Sequence, residues 1–495
     1  QMADTSYTIK NFQVIKNKFV RIHEIATTSR EHAAAEKERM LSDINAFESE
    51  EIDSDFIDLY SDLSGPTLQE LQHLNIDEIR AKILEMKCAW CIVYYNSTLR
   101  KLFIGRDIFG RKSLVFSSDS NSITVSCIGR PSTLRWRELP YAQVSVIDVD
   151  DIFSSLIFSS YLDQYPDDME KEWTSIFTSV YQDTNHCKDS LITVSRIIRP
   201  ASACDSNSLS VHLISSICSL LPPLTSIAIC FSGGVDSLLI THLLLSIIPP
   251  SVPLYLINVA FGDDSLFISR ASDRIRSIQA FTHLKQHNSH HTLHLILVDV
   301  SRSSLNSARS LLIPLATRPS STILDESIAS VLHFAFQAKG IDFETKEEIQ
   351  CTSPVRFMGS GADELFAGYA RHRHRFERDG DSSGIGEECE MELRRIGMRN
   401  GGRDDRVAVI NGIETKSPFL HDDLVEWANG LSIEDKADLS LPRGIGEKKI
   451  IREALRSLNA PHSAPKQAMQ FGSGMVKLEN GKNQKGSQLS AHLDI

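Results

Sequence analysis

Hydrophobic positions along the chain change character near residue 210. Between residues 88 and 149 they come as short runs rich in aromatic and β-branched residues, Cys91-Ile92-Val93-Tyr94-Tyr95 and Lys101-Leu102-Phe103-Ile104. The turn residues Asn96-Ser97-Thr98 separate them, which predicts a hairpin in a β-rich region. From residue 227 onward the apolar runs are continuous: residues 227–231, 254–261 and 293–300. Apolar side chains at successive positions predict strands buried on both faces of a parallel sheet. Between and after them, residues 238–245, 308–316 and 324–336 have the length and pattern of helices, and alternating strands and helices predict an α/β, doubly wound parallel sheet. Upstream, Met40, Leu41, Ile44 and Phe47 stand at helical spacing in a charged stretch poor in aromatics, which predicts one or two amphipathic helices. Residues 184–210, rich in Ser, Asp and Asn, predict an exposed connection. The expected organisation is a helical, charged segment at 1–87, a β-rich domain at 88–183, a linker at 184–210, an α/β domain at 211–476 and a polar tail at 477–495.

Composition narrows the function. The 495 residues are 41% hydrophobic and 23% charged, an ordinary globular balance long enough for two or three domains. A net charge of -12 offers no basic footprint for nucleic acid or an anionic membrane. No run approaches the roughly 18 to 20 apolar residues of a spanning helix, and no signal-peptide pattern opens the chain. A soluble, cytoplasmic protein acting on small molecules is expected, with a homodimer left open as an assembly. The nine Cys form no repeating framework, so reduced thiols are expected, and the Cys88-Ala89-Trp90-Cys91 spacing lacks a second pair. His283, His287, His290, His291 and His294 read as a solvated polar connector rather than a metal site.

The chemistry concentrates in two glycine turns. Ser232-Gly233-Gly234-Val235-Asp236-Ser237 joins a predicted strand to a predicted helix. Unpaired N–H groups and the helix dipole at such a turn favour phosphate or pyrophosphate, and the glycines allow close approach of the backbone. The Lys of a Walker loop is missing, while Asp236 stands where it could hold Mg²⁺ on phosphates; the competing reading is an ordinary glycine turn capped by Ser232. The second turn, Gly359-Ser360-Gly361-Ala362-Asp363-Glu364, again follows a predicted strand. Turns of this kind share the C-terminal edge of a parallel sheet, so the two can face each other over one nucleotide, with Asp236 and Asp363 as Mg²⁺ ligands. The alternative for Asp363 and Glu364 is a charged helix start. Farther along, Lys448 and Arg452, four apart, are expected on one helix face reaching one anion, unless they form a solvated basic helix end.

These motifs carry a resemblance. The first turn is similar to the pyrophosphate loop of the N-type ATP pyrophosphatases, which include asparagine synthetases, GMP synthetase, NAD synthetase and tRNA-modifying enzymes. The second, through Gly368 and Tyr369, resembles the S-G-E-G-A-D-E-L-F-G-G-Y signature of asparagine synthetases, with Ser360 where that family has Glu. Arg403-Asp404-Asp405-Arg406-Val407, the segment from Gly412 to Leu420 (with Lys416 for Arg, then His421 for Asp), Lys448-Lys449-Ile450-Ile451-Arg452 and the stretch from Pro465 to Gly474 follow in that family's order. The last of these is especially similar to a eukaryotic group of asparagine synthetase domain-containing proteins. Gly105-Arg106-Asp107-Ile108-Phe109-Gly110 looks like a turn of the class II amidotransferase (glutaminase) domain of the same enzymes, usually a β-sandwich.

The resemblance implies an ATP pyrophosphatase domain preceded by an incomplete β-rich amidotransferase-like domain. It implies ATP and Mg²⁺ as cofactors and aspartate with ammonia, free or glutamine-derived, as substrates. Lys448, Asp363 and Glu364 would be catalytic; Ser232, Gly233, Gly234, Asp236, Ser237, Gly359, Ser360, Gly361 and Arg452 would bind the nucleotide. The family's nucleophilic N-terminal Cys has no counterpart, since Met2 is followed by Ala3 and Asp4, and its glutamine-binding segments are missing before residue 88. No glutamine hydrolysis is expected. Ser360 keeps open a second class, a nucleotide-binding pseudoenzyme, and a third is another N-type ATP pyrophosphatase.

Overall fold

The computed structural model describes residues 11–15, 18–23, 48–51, 55–61, 65–118, 122–129, 136–139, 141–148, 206–221, 226–463, 465 and 467–478. The chain divides into two compact units, residues 1–191 and 192–495.

The first unit is antiparallel. Its strands are β1 (Asn11–Ile15), β2 (Lys18–His23), β3 (Glu48–Glu51), β4 (Phe56–Ser61), β5 (Trp90–Asn96), β6 (Lys101–Arg106), β7 (Val115–Ser118), β8 (Ser122–Ser126), β9 (Arg137–Glu138) and β10 (Gln143–Asp148). They form a six-stranded sheet, β3-β2-β1-β8-β7-β9, and a four-stranded sheet, β10-β6-β5-β4. The expected hairpin is β5–β6, with Cys91 opposite Arg106 and Asn96 opposite Lys101.

The expected boundary at residue 87 does not stand. β1 pairs with β8 and β4 with β5, so strands from before residue 62 complete both sheets. Met40, Leu41, Ile44 and Phe47 lie outside the described residues. Helices do occur farther on, as α1 (Leu68–Leu71) and α2 (Ile76–Leu84), each opened by a capping box, Thr67 with Glu70 and Asn75 with Glu78. Ile79 and Ile83 bury their side chains among Trp90, Ile92, Tyr94 and Phe103 of β5 and β6. Every residue of β5 is buried, Cys91 included, which leaves the C-x-x-C pair inside the fold.

The Gly-Arg-Asp turn after β6 is a closed polar knot. Buried Arg106 donates to the carbonyls of Lys112 (2.8 Å), Leu139 (2.9 Å) and Gly110 (2.7 Å) and pairs with Glu138. Asp107 accepts from the N–H groups of Phe109 and Arg111, both at 2.9 Å, and from Arg111 Nε at 2.8 Å. Burying these charges is tolerable because every nitrogen of the Arg106 guanidinium and both oxygens of Asp107 have partners.

The second unit is α/β. Its elements in chain order are α3 (Ser206–Leu220), β11 (Ile227–Cys230), α4 (Val235–Ile247), β12 (Leu254–Phe261), α5 (Ser272–His287), β13 (Leu293–Val300), α6 (Arg302–Leu311), α7 (Ile313–Thr317) and α8 (Ile323–Gln337). There follow β14 (Lys339–Asp342), β15 (Glu348–Gln350), β16 (Val355–Phe357), α9 (Ala362–Leu365), α10 (Ala370–Asp379), α11 (Gly402–Ile410), β17 (Glu414–Lys416) and α12 (Lys449–Ser457). The sheet order is β15-β14-β13-β12-β11-β16-β17. The five strands β13, β12, β11, β16 and β17 are parallel, as expected, and β14 and β15 add an antiparallel edge that the apolar pattern does not announce. Leu256, Leu295 and Ile296 are fully buried in its centre, each contributing roughly 1.5–3 kcal/mol of burial.

Three further expectations are revised. The linker drawn to residue 210 ends earlier, because α3 begins at Ser206 and buries Leu209, Leu213 and Ile217. The single helix expected over 308–316 is two, α6 and α7, with Pro314 opening the second. The histidines are not a solvated connector: His283 and His287 ride on α5, His291 is buried, and His294 lies in β13 with Nδ1 2.8 Å from Asp342 Oδ2. Among the described residues no three His, Cys, Asp or Glu side chains converge as a metal site.

Read by sequence, the parallel strands run 3-2-1-4-5. The order reverses between β11 and β16, which are neighbours with Ile229 opposite Phe357. A crevice opens at the carboxyl ends of strands where the order reverses.

Candidate active site at the strand reversal

β11 ends at Cys230, and the chain crosses Ser232 and Gly233 to enter α4 at Gly234. Gly233 has a φ of 70°, and a Cβ there would fall 2.5 Å from the Arg276 carbonyl carbon and 2.6 Å from Ser277 N. Only glycine fits between this turn and α5. Gly234 caps the helix without a side-chain hydrogen bond onto its first turn, and its own N–H donates to Ser232 Oγ at 3.3 Å. Ser237 turns its hydroxyl back to Gly234 O at 3.2 Å. Four of the predicted nucleotide residues, Ser232, Gly233, Gly234 and Ser237, thus shape an uncapped helix start, and Asp236 lies in its first turn.

β16 ends at Phe357, and Gly359, Ser360 and Gly361 lead into α9, which carries Asp363 and Glu364. A Cβ on Gly359 would stand 2.9 Å from Asp236 Cβ, so the two turns touch. Gly361, at a φ of 97°, packs on Leu420.

The third piece is Lys448. Its Nζ lies 2.6 Å from Asp236 Oδ2 and 2.7 Å from Asp363 Oδ1. Predicted to converge, the two aspartates do so on one ammonium. Lys448 is 1% exposed and caps α12 in a left-handed conformation, φ 53°, with its N–H donating to Phe366 O at 3.0 Å. A side chain on Gly368 is sterically barred: its Cβ would fall 2.1 Å from Asp363 Oδ1 and 2.2 Å from Lys448 Cε.

Lys448 is the left-handed cap of α12 rather than a helical residue, and Arg452 lies inside that helix. Arg452 Nε donates to Glu447 O (2.7 Å) and Nη1 to His462 O (2.6 Å), while burial pushes its guanidinium below its ordinary range, opposed by Glu447 and Asp236. It braces the loop that delivers Lys448. Glu364 accepts from Tyr369 Oη at 2.6 Å and Asn400 Nδ2 at 3.4 Å, and burial, then Glu364, push the Tyr369 phenol well above 10. Cys230, at the end of β11, is pushed up to about 12 by burial, which removes it as a thiolate nucleophile.

Several supporting residues are absent from the sequence reading. Asn258 of β12 donates to Phe231 O (3.1 Å) and Asp273 O (3.3 Å) and accepts from Arg274 Nε (2.7 Å), tying the exit of β11 to the start of α5. Glu447 accepts from Arg373 (2.9 Å) and from Gly444 N (2.9 Å). The signal for Asn258 was a lone polar residue in an otherwise apolar strand. Near the end of the chain, Ser473 O accepts from Phe261 N at 2.9 Å, returning that segment to the carboxyl end of β12.

Known proteins share sequence with this chain. A family model described as asparagine synthase matches residues 377–484, which include Lys448. The chain is 29% identical over 524 aligned positions to asparagine synthetase domain-containing protein 1 of Mus musculus, covering 85% of this chain and 83% of the relative. The Homo sapiens protein of that name is also 29% identical, over 85% and 82%. An asparagine synthetase domain-containing protein of Saccharomyces cerevisiae is 27% identical, over 82% and 74%. Among the described residues, no helix is long and apolar enough to cross a membrane.

Proposed function

We propose that the second unit of the chain is an ATP-dependent amide ligase that adenylates aspartate and passes the acyl group to ammonia, giving asparagine, AMP and pyrophosphate. The observation that carries this reading is Lys448 set between Asp236 and Asp363 at the strand reversal of a chain with an asparagine synthase domain.

The residues suit a divalent cation. Asp236 Oδ1 is buried and has no hydrogen-bond partner, and phosphate-bound Mg²⁺ takes only one or two protein carboxylates. Asp236 and Asp363 would hold it, and bound Mg²⁺ offsets charge on the polyphosphate. The aspartate carboxylate forms a bond to the α-phosphorus as the bond to the bridging oxygen breaks and pyrophosphate leaves. Ammonia then bonds to the acyl carbon, AMP departs and the nitrogen loses a proton. The uncapped N–H groups at the start of α4 and the Lys448 ammonium lie where negative charge builds on phosphate oxygens. Reduced thiols and free amino-acid substrates fit a cytoplasmic setting.

AMP release and ATP–pyrophosphate exchange with aspartate and ammonium test the proposal. Aspartate-dependent exchange that Asp236→Asn abolishes is expected; nucleotide binding with no turnover would replace it with a binding role, the reading that Ser360 in the second turn favours.

A further inference from the structure

The site already contains a cation. Lys448 Nζ stands within 2.7 Å of a carboxylate oxygen on each turn, bridging the same two groups that a divalent ion would bridge at its shorter metal–oxygen distances of about 2.0–2.6 Å. Resting on the nucleotide-dependent reading above, we propose that Lys448 is a stand-in cation that keeps divalent metal out of the empty site until a polyphosphate arrives to receive its ammonium.

Charge arithmetic supports this. Two carboxylates and one ammonium sum to −1, so a bare divalent ion meets a half-compensated pair, and its own charge would sit a few ångströms from an ammonium of the same sign. The lysine cannot simply step aside. It is 1% exposed, its backbone is fixed as the cap of α12, and Gly368 lies against its Cε. A short displacement needs an anion to take the ammonium. Polyphosphate supplies one while bringing its own metal, after which the aspartates and the metal balance and Lys448 pairs with phosphate. The partnerless Asp236 Oδ1 marks where the lysine leaves a carboxylate oxygen unserved.

The test follows Mn²⁺ binding by water-proton relaxation in the full chain, without turnover. Wild type should bind no Mn²⁺ at millimolar concentration alone and should bind it when a non-hydrolysable ATP analogue is present. Lys448→Met, similar in length and uncharged, should bind Mn²⁺ without nucleotide and lose that binding on addition of Asp236→Asn. Mn²⁺ binding by nucleotide-free wild type that Asp236→Asn removes would overturn the inference, as would a folded Lys448→Met chain that takes no Mn²⁺. If wild type binds no metal even with the analogue, the ligase reading fails, and the Lys448→Met arm still decides this inference. Should Lys448→Met not fold, Lys448→Gln replaces it, and the two wild-type measurements decide independently.

Discussion

Gly368 is the residue against which the Lys448–Asp363 pair is set: a Cβ there would fall 2.1 Å from Asp363 Oδ1 and 2.2 Å from Lys448 Cε. Gly368→Ala therefore cannot be accommodated without moving one charge of the pair. It should cost about 1–3 kcal/mol of stability, the range for overpacking, and lower ATP–pyrophosphate exchange by about 100-fold or more, the scale on which a small misplacement of a catalytic group acts. Urea unfolding and exchange assays on one preparation measure both; an unchanged exchange rate would detach Lys448 from the chemistry.

Asn258→Leu should separate positioning from folding. The substitution removes the donor to Phe231 O and Asp273 O and the acceptor for Arg274 Nε, leaving buried groups unpaired at about 1–3 kcal/mol. The expected readout is a lower chemical unfolding midpoint together with a raised KM for ATP, because the turn at Ser232 loses its brace. Asn258→Asp keeps the acceptor for Arg274 and should recover part of the stability.

Acid should weaken the fold near the site. His372 is fully buried, and burial, then Arg371, depress its imidazole to about 4; Asp363 opposes this and Lys448 adds to it. Its Nδ1 accepts from Tyr369 N at 3.2 Å, which only the neutral ring can do. A depressed pKa gives stability that is complete above the unfolded value near 6.5 and is lost as pH falls through 6.5 toward 4. His333, pushed to about 4 by burial alone, behaves the same way. Each should cost on the order of 3 kcal/mol by pH 4. Unfolding measured from pH 7.5 to 4.5 should fall with the sharpest slope below 6.5, and His333→Phe should flatten it.

In the first unit, Arg106→Met should be among the most damaging single changes. It strips three carbonyls of their donor and removes the Arg106–Glu138 ion pair, a loss of about 3–5 kcal/mol. Limited proteolysis should then cut within residues 1–191 and spare 226–463. Equal cleavage of both units would show that they do not fold separately.

Much of the α/β unit was legible because its chemistry is local. A five-residue apolar run, two glycines and an acid predict β11, the turn and α4 from adjacent positions, and the same holds for β16 and α9. What the sequence could not carry was partnership between distant positions. Asp236 and Lys448 meet across 212 residues, and nothing beside either names the other. That Lys448 is a left-handed cap rather than a residue of the helix is likewise something residue spacing cannot reveal. The strands before residue 62 were missed for a different reason. Glu48–Glu51 is short and polar, and its identity comes from pairing with β2 rather than from any propensity of its own; Asn11–Ile15 carries Phe12, Val14 and Ile15, but a run of five residues is too short to announce a strand before its pairing with β8 is seen.

That 212-residue separation also sets an order on biogenesis. During synthesis both acidic bends emerge well before the lysine that reconciles them, so a nascent chain halted short of position 448 holds two carboxylates in mutual repulsion with no ammonium to quiet them. Of these three charges the lysine leaves the ribosome last, so the charge balance of the cleft is complete only once translation has reached α12.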